Sequence, residues 1–387
     1  MILVIADDFT GAAELAGISI GFGLKTEVQT TFDINSDAEV LIIDTNTRSK
    51  TAEEAEMVLK KLLESVRQYE FDFIYKKIDS VLRGHIYEEL SVMLRYYPDK
   101  SILLSPTNPS RGRTTSNGTY FIDGLPLHET VFSEDPESPI KASDIYTLVN
   151  GGEKDGIQIL NTFSSIPSGS GMIYVGEAKD QDEVRHWVSQ TGEGVITAGA
   201  ADFFKAILES KYGKRANVRS KIDFESRNSL FVCGSSLSRV INIEEELFSQ
   251  NPKVVEILEN QICSASVYTL KKISKKVIEQ FKVSNKVILF VTTSGSDSDQ
   301  PTHNIPKCLA AITSNILHNL KLDELFIEGG TTSSEIVRKA GWEKFKAVNQ
   351  MGEGLVRMQV VSSPANFITV KPGSYKWSDS LWRQLKS

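Results

Sequence analysis

Cysteine is scarce: Cys233, Cys263 and Cys308 are the only three in 387 residues, far apart and never spaced as CxxC. That excludes a disulfide framework and a thiolate metal centre as organising devices. A basic surplus is also missing, because 43 Lys and Arg stand against 50 Asp and Glu for a net charge of −7. Nucleic acid is therefore not an expected partner, although local Lys/Arg clusters can still hold a small anion. Long apolar runs are lacking too. The opening Met1-Ile2-Leu3-Val4-Ile5-Ala6 stops at Asp7 and Asp8 with no basic leader. Nothing later reaches the roughly 20 residues of a membrane helix. A cytoplasmic protein with no membrane partner is expected. No short repeat, low-complexity tract, GxxxxGK[ST] loop or GxGxxG turn between strand and helix is present, which excludes the commonest phosphate-binding fingerprints.

What is there suits a well-packed chain of two domains: 40% of residues are apolar, and 387 exceed what one core usually organises. Short β-rich runs alternate with helical ones. Ile2 to Ala6 precedes Gly11 to Gly21, Val40 to Ile43 precedes Ala52 to Arg67, Phe71 to Tyr75 precedes His85 to Leu94, and Ser101 to Leu104 follows. That rhythm predicts an α/β fold with a parallel, doubly wound sheet. A strand, a small-residue turn and a helix span Gly192 to Ser210, and the polar stretch Lys211 to Asn228 follows. The boundary is placed in that stretch, giving domains 1–220 and 221–387. A second series runs through Leu230 to Cys233, Val287 to Val291, Leu325 to Ile327 and Phe367 to Val370, so each domain is expected to hold a mostly parallel sheet flanked by helices. Asn108 to Ile140, dense in Pro, Gly, Ser and Thr, reads as a long functional loop.

Every unusual polar cluster follows a predicted strand, the end at which open α/β sheets bind ligands. Asp7 and Asp8 follow the first strand, Arg48 the second, Lys76, Asp79, Arg83 and Gly84 the third, and Arg113 the fourth. Together these cations suit a carboxylate or phosphate, and an aspartate suits a hydroxyl proton, as a polyhydroxy acid requires. Asp8 equally suits a helix cap. Asp7 reads first as structural and is carried with the binding residues. Lys77, Lys50 and Arg67 read as solvated charges by default, and His85 as packing or capping.

In the second half, Cys233-Gly234-Ser235-Ser236, Thr293-Ser294-Gly295-Ser296-Asp297 and Glu328-Gly329-Gly330-Thr331-Thr332 each lead from strand to helix. One such loop is an ordinary turn, whereas three at equivalent positions point to phosphate cradles and hence a nucleotide. Lys371 is either a mobile cation beside Gly373 or a solvated terminal lysine.

These motifs, in this order, resemble the four-carbon acid sugar kinase family over nearly the whole chain. The parts that carry the resemblance are Ala6 to Ala12, Asp44 to Arg48, Lys76 to Gly84, Gly112 to Thr115 and Gly329 to Thr332. The resemblance implies a kinase of sugar-acid catabolism that phosphorylates a hydroxyl of threonate, erythronate or a 3-oxo-tetronate. It implies an N-terminal domain that grips the acid and a C-terminal domain that binds ATP, with transfer in the cleft between them. Asp8 and Asp79 are then the candidate catalytic residues. Asp7, Arg48, Lys76, Arg83, Gly84 and Arg113 bind substrate, and Ser235, Gly329, Gly330, Thr331, Thr332 and Gly373 bind ATP. Mg2+ is inferred from ATP chemistry, its ligands unknown, and a homo-oligomer is left open. The family's usual Gly-Gly-Glu-Thr is here Gly329-Gly330-Thr331-Thr332, which removes or relocates that acid. A non-catalytic sensor of sugar acids and nucleotides is the alternative. An aldolase or isomerase is disfavoured by the lack of a Schiff-base lysine pocket or a His/carboxylate metal cluster.

Overall fold

The computed structural model describes residues 1–134, 139–213, 227–234, 253–263, 265–292, 304–352, 354–363, 366–373, 375 and 377. The chain divides into two compact units, Met1–Thr26 with Thr31–Asn217, and Glu27–Thr30 with Val218–Ser387.

In the first unit, parallel strands lie in the order Val40–Asp44, Ile2–Ala6, Ile74–Lys77, Val195–Gly199, Ser101–Ser105, Ile173–Gly176 and Ile157–Leu160. The sequences ILVIA, VLIID and SILLS are buried along their whole length, as strands covered on both faces must be. Helix Ala52–Val66 shows how the covering is built. Ala55, Leu59, Leu62, Leu63 and Val66 recur at helical spacing on its buried face, and Thr51 with Glu54 closes a capping box at its start. The third strand is displaced from Phe71–Tyr75 to Ile74–Lys77 because Lys76 and Lys77, polar by identity, are buried inside the sheet.

The long loop after Ser101–Ser105 is largely ordered as a three-stranded antiparallel sheet of Arg113–Ser116, Thr119–Ile122 and Leu125–Pro126. Its two turns are Asn117-Gly118 and Asp123-Gly124, all four residues at positive φ, the two-residue turn that matches the twist of paired strands.

In the second unit, Lys253–Leu258, Lys286–Thr292, Ser229–Cys233, Glu324–Glu328 and Phe367–Lys371 are parallel in that spatial order. Leu355–Val360, Lys344–Gly352 and the early strand Thr26–Gln29 then extend the sheet antiparallel. At the starting end of the parallel strands, the fully buried Glu324 accepts a fork from Arg357, with Arg227 at 3.3 Å and the Phe367 ring centre 3.5 Å from the Arg357 guanidinium carbon.

Candidate active site

The first unit brings its predicted site residues to the carboxyl ends of neighbouring strands, where the chain leaves the sheet and side chains converge. Arg48 is the hub. Its Nε lies 2.8 Å from Asp7 Oδ2, its Nη2 lies 2.9 Å from Asp7 Oδ1 and 2.8 Å from Asp8 Oδ1, and its Nη1 lies 3.4 Å from Asp79 Oδ1. Asp8 also caps helix Phe9–Gly21, accepting from the Gly11 amide at 2.8 Å and the Thr10 hydroxyl at 2.5 Å. Capping and membership of the cluster are thus one geometry.

Asp79 binds the next arginine. Arg83 donates to it through Nε at 2.7 Å, Nη2 at 3.1 Å and its own amide at 3.2 Å. The intervening turn needs φ of +62° at Leu82 and +95° at Gly84. A left-handed leucine is strained, and such backbone persists where its surroundings over-determine it. At Gly84 a side chain is opposed by the positive φ, not by lack of space, since Arg48 Cγ lies 3.5 Å from where Cβ would stand, an ordinary contact.

Burial raises the Asp79 pKa, but Arg83 and Arg48 outweigh it and hold this carboxyl well below the usual range. Asp7 is likewise lowered, with Arg48 and Lys76 overcoming desolvation. Partly buried among three aspartates, the Arg48 guanidinium binds its proton more tightly than usual, their charges outweighing desolvation. A depressed carboxyl stabilises the fold above its unfolded pKa, and that contribution disappears as pH falls through the folded value. Urea unfolding should therefore show that Asp79→Asn, less stable than wild type at about pH 7, loses less further stability on acidification to about pH 3, with the difference growing at lower pH. Parallel losses in both proteins would mean that Asp79 is not under this electrostatic hold.

Lys76 is fully buried, with Nζ 2.7 Å from Glu89 and 3.1 Å from the Lys77 carbonyl. Glu89 also accepts from the Thr47 hydroxyl. Lys77 corrects the solvated reading: it is buried, bonded to the Ile78 carbonyl at 2.7 Å and 3.6 Å from Glu14. Glu89 went unread, though its place between Ile86 and Leu90 on the buried face of helix Ile86–Tyr96 was a signal. His85 Nε2 contacts the Lys50 carbonyl at 2.6 Å. Arg113 differs from the other cations. It is only 6% exposed, its Nη1 donates to the Ser80 hydroxyl, and among the described residues it has no carboxylate partner. The Phe132 ring faces it at 5.7 Å and faces Arg83 at 6.0 Å.

In the second unit the chain order reverses at Ser229–Cys233, which lies between Lys286–Thr292 and Glu324–Glu328. Such a reversal is where open sheets bind ligands. Here Gly329 turns at φ +100° into helix Gly330–Lys339, so Gly330, Thr331 and Thr332 form its first turn. Close approach requires Gly234 at the neighbouring strand end, since a Cβ there would stand 2.4 Å from Thr332 Oγ1. Gly373 follows the last parallel strand, whose Lys371 carbonyl accepts from the Gly329 amide at 3.0 Å. Lys371 is not a solvated lysine. Its buried ammonium lies 3.0 Å from the Pro372 carbonyl and 3.6 Å from Glu328, and desolvation lowers its pKa. Trp377 donates its indole N–H to Glu328 at 2.8 Å. Ser235 and the Thr293–Asp297 loop lie outside the described residues. Among the described residues, no cluster of three or more His, Cys, Asp or Glu could hold a metal, and no helix is long and apolar enough to cross a membrane.

Comparison with known proteins finds relatives along nearly the whole chain. The chain is 23% identical to a D-threonate kinase of Salmonella typhimurium over 90% of its own length and 88% of the relative's. It is 22% identical to a 3-oxo-tetronate kinase of Haemophilus influenzae over 98% of each. A solved Haemophilus influenzae structure of the DUF1537 family shares the fold with a TM-score of 0.72 at 18% identity, covering 99% of both chains. Residues 2–197, which hold the arginine and aspartate cluster, match the model of the sugar-binding N-terminal domain, and the chain belongs to that family.

Proposed function

We propose that this protein is a kinase that transfers the γ-phosphoryl group of ATP to a hydroxyl of a four-carbon sugar acid. Arg113 carries the reading: a buried guanidinium with no carboxylate partner among the described residues, beside Arg83 and the Asp79 turn, calls for an anion from outside. The acid's carboxylate supplies it. Arg48 and Arg83 complete the cationic wall, while Lys76, locked on Glu89, acts through its fixed charge, which lowers the Asp7 pKa. Full-length relatives named as D-threonate and 3-oxo-tetronate kinases support both substrate class and reaction.

Phosphoryl transfer asks the protein chiefly for alignment and charge stabilisation. In this reading the acceptor oxygen bonds to the γ-phosphorus as the bond from that phosphorus to the β,γ-bridging oxygen breaks. ADP leaves with the electron pair, and the hydroxyl proton passes to Asp8. Asp79, its basicity suppressed by two arginines, fixes their positions instead. Gly329, Gly330, Thr331 and Thr332 offer backbone amides and hydroxyls to the phosphates at a helix N-terminus, with Gly373 and Ser235 as further contacts. Magnesium enters with ATP as part of that substrate.

A coupled ADP-release assay with Mg-ATP against both enantiomers of threonate and erythronate, and the 3-oxo-tetronates, tests this directly. Turnover with at least one member is expected. Nucleotide binding without ADP release from any of them would sink the kinase reading in favour of a sensor.

A further inference from the structure

Between Arg83 and Arg113 stands a side chain to which neither motif nor family match gives a role. Phe132 lies in the short 3-10 turn Val131–Glu134, beyond the three-stranded excursion. Its ring faces the guanidinium carbons of Arg113 at 5.7 Å and Arg83 at 6.0 Å. The ring is partly buried against the first unit's core, its amide is held by the Thr130 hydroxyl at 3.4 Å, and its carbonyl accepts from the Ile140 amide at 3.0 Å. Tyr120, from the same excursion, donates to the Ser80 carbonyl at 2.5 Å, tying it to the turn that presents Asp79 and Arg83.

An aromatic face attracts a guanidinium and leaves the N–H edges of its planar fork outward, the edges a carboxylate binds. Arg83 has Asp79 to orient it, whereas Arg113 has the Ser80 hydroxyl and this ring. We infer that Phe132 is a positioning residue for the acid end of the acceptor, setting the preference for a carboxylate over a neutral polyol. The inference rests on the kinase reading above and goes beyond it in naming what discriminates acid from polyol.

Three variants separate orientation from packing. Phe132→Leu keeps apolar volume without a π face, Phe132→Tyr keeps the face, and Phe132→Ala removes both. With D-threonate or D-erythronate, whichever wild type uses, the Leu and Ala variants should raise KM about tenfold while Tyr stays near wild type. The kcat at saturation and the KM for ATP should stay within about twofold, and the preference for the acid over erythritol should fall in step. If Phe132→Leu keeps the wild-type KM, or if kcat falls instead, the ring is only packing and the inference is overturned. Failure of the kinase reading is visible separately, in wild type that releases no ADP with any acid.

Discussion

Asp8→Asn should lower kcat about a hundredfold or more while the KM for the acid changes only a few-fold. Asparagine is chosen because it keeps the cap. Asp8 Oδ1 accepts the Gly11 amide and Oδ2 the Thr10 hydroxyl, and asparagine is as good an N-cap as aspartate. Helix Phe9–Gly21 should therefore stay in place, and what disappears is the negative charge and the ability to take a proton. Alanine would confuse the two, since removing a cap itself costs about 1 kcal/mol. Asp79→Asn should differ in kind. Its amide would set a donor against the Arg83 fork, so the acid's KM should rise more than kcat falls. Steady-state kinetics of the two variants decide the assignment. An unchanged kcat in Asp8→Asn removes Asp8 from the chemistry and leaves it a cap.

How much of this was legible follows from what each residue type advertises. The parallel strands could be read because ILVIA, VLIID and SILLS are buried on both faces and thus mainly apolar. The cluster of Asp7, Asp8, Arg48, Asp79 and Arg83 could be read because each stands just after a strand. Burial of Lys76 and Lys77 could not, because a lysine's partner, here Glu89 or Glu14, is fixed by the fold and not by adjacency in sequence. The antiparallel strands Lys344–Gly352 and Leu355–Val360 were missed for another reason: their polar residues follow no clean alternation, and the first carries irregularities in register. The excursion after Ser105 was within reach. Asn-Gly and Asp-Gly are the dipeptides that two-residue hairpin turns favour, and both stand where the chain reverses.

The second large effect concerns stability, far from any chemistry. Glu324 is fully buried, and its desolvation outweighs Arg357 and Arg227, so that its pKa is raised in spite of both. A pair whose desolvation is so incompletely repaid is one that apolar residues can replace. Glu324→Leu strands the Arg357 guanidinium, only 5% exposed along its side chain, and should cost about 3–5 kcal/mol. Arg357→Met should cost less, because Glu324 keeps Arg227 at 3.3 Å on the more exposed side. The double variant should recover most of the loss. Leucine and methionine meet no stranded charge, and the Phe367 ring, now stacked on the guanidinium, is an apolar neighbour for methionine. Urea titrations followed by tryptophan fluorescence, with Trp342 and Trp377 in the second unit, report the relevant transition. A double variant no more stable than Glu324→Leu would show that the pair contributes net stability, against the direction in which burial moves Glu324.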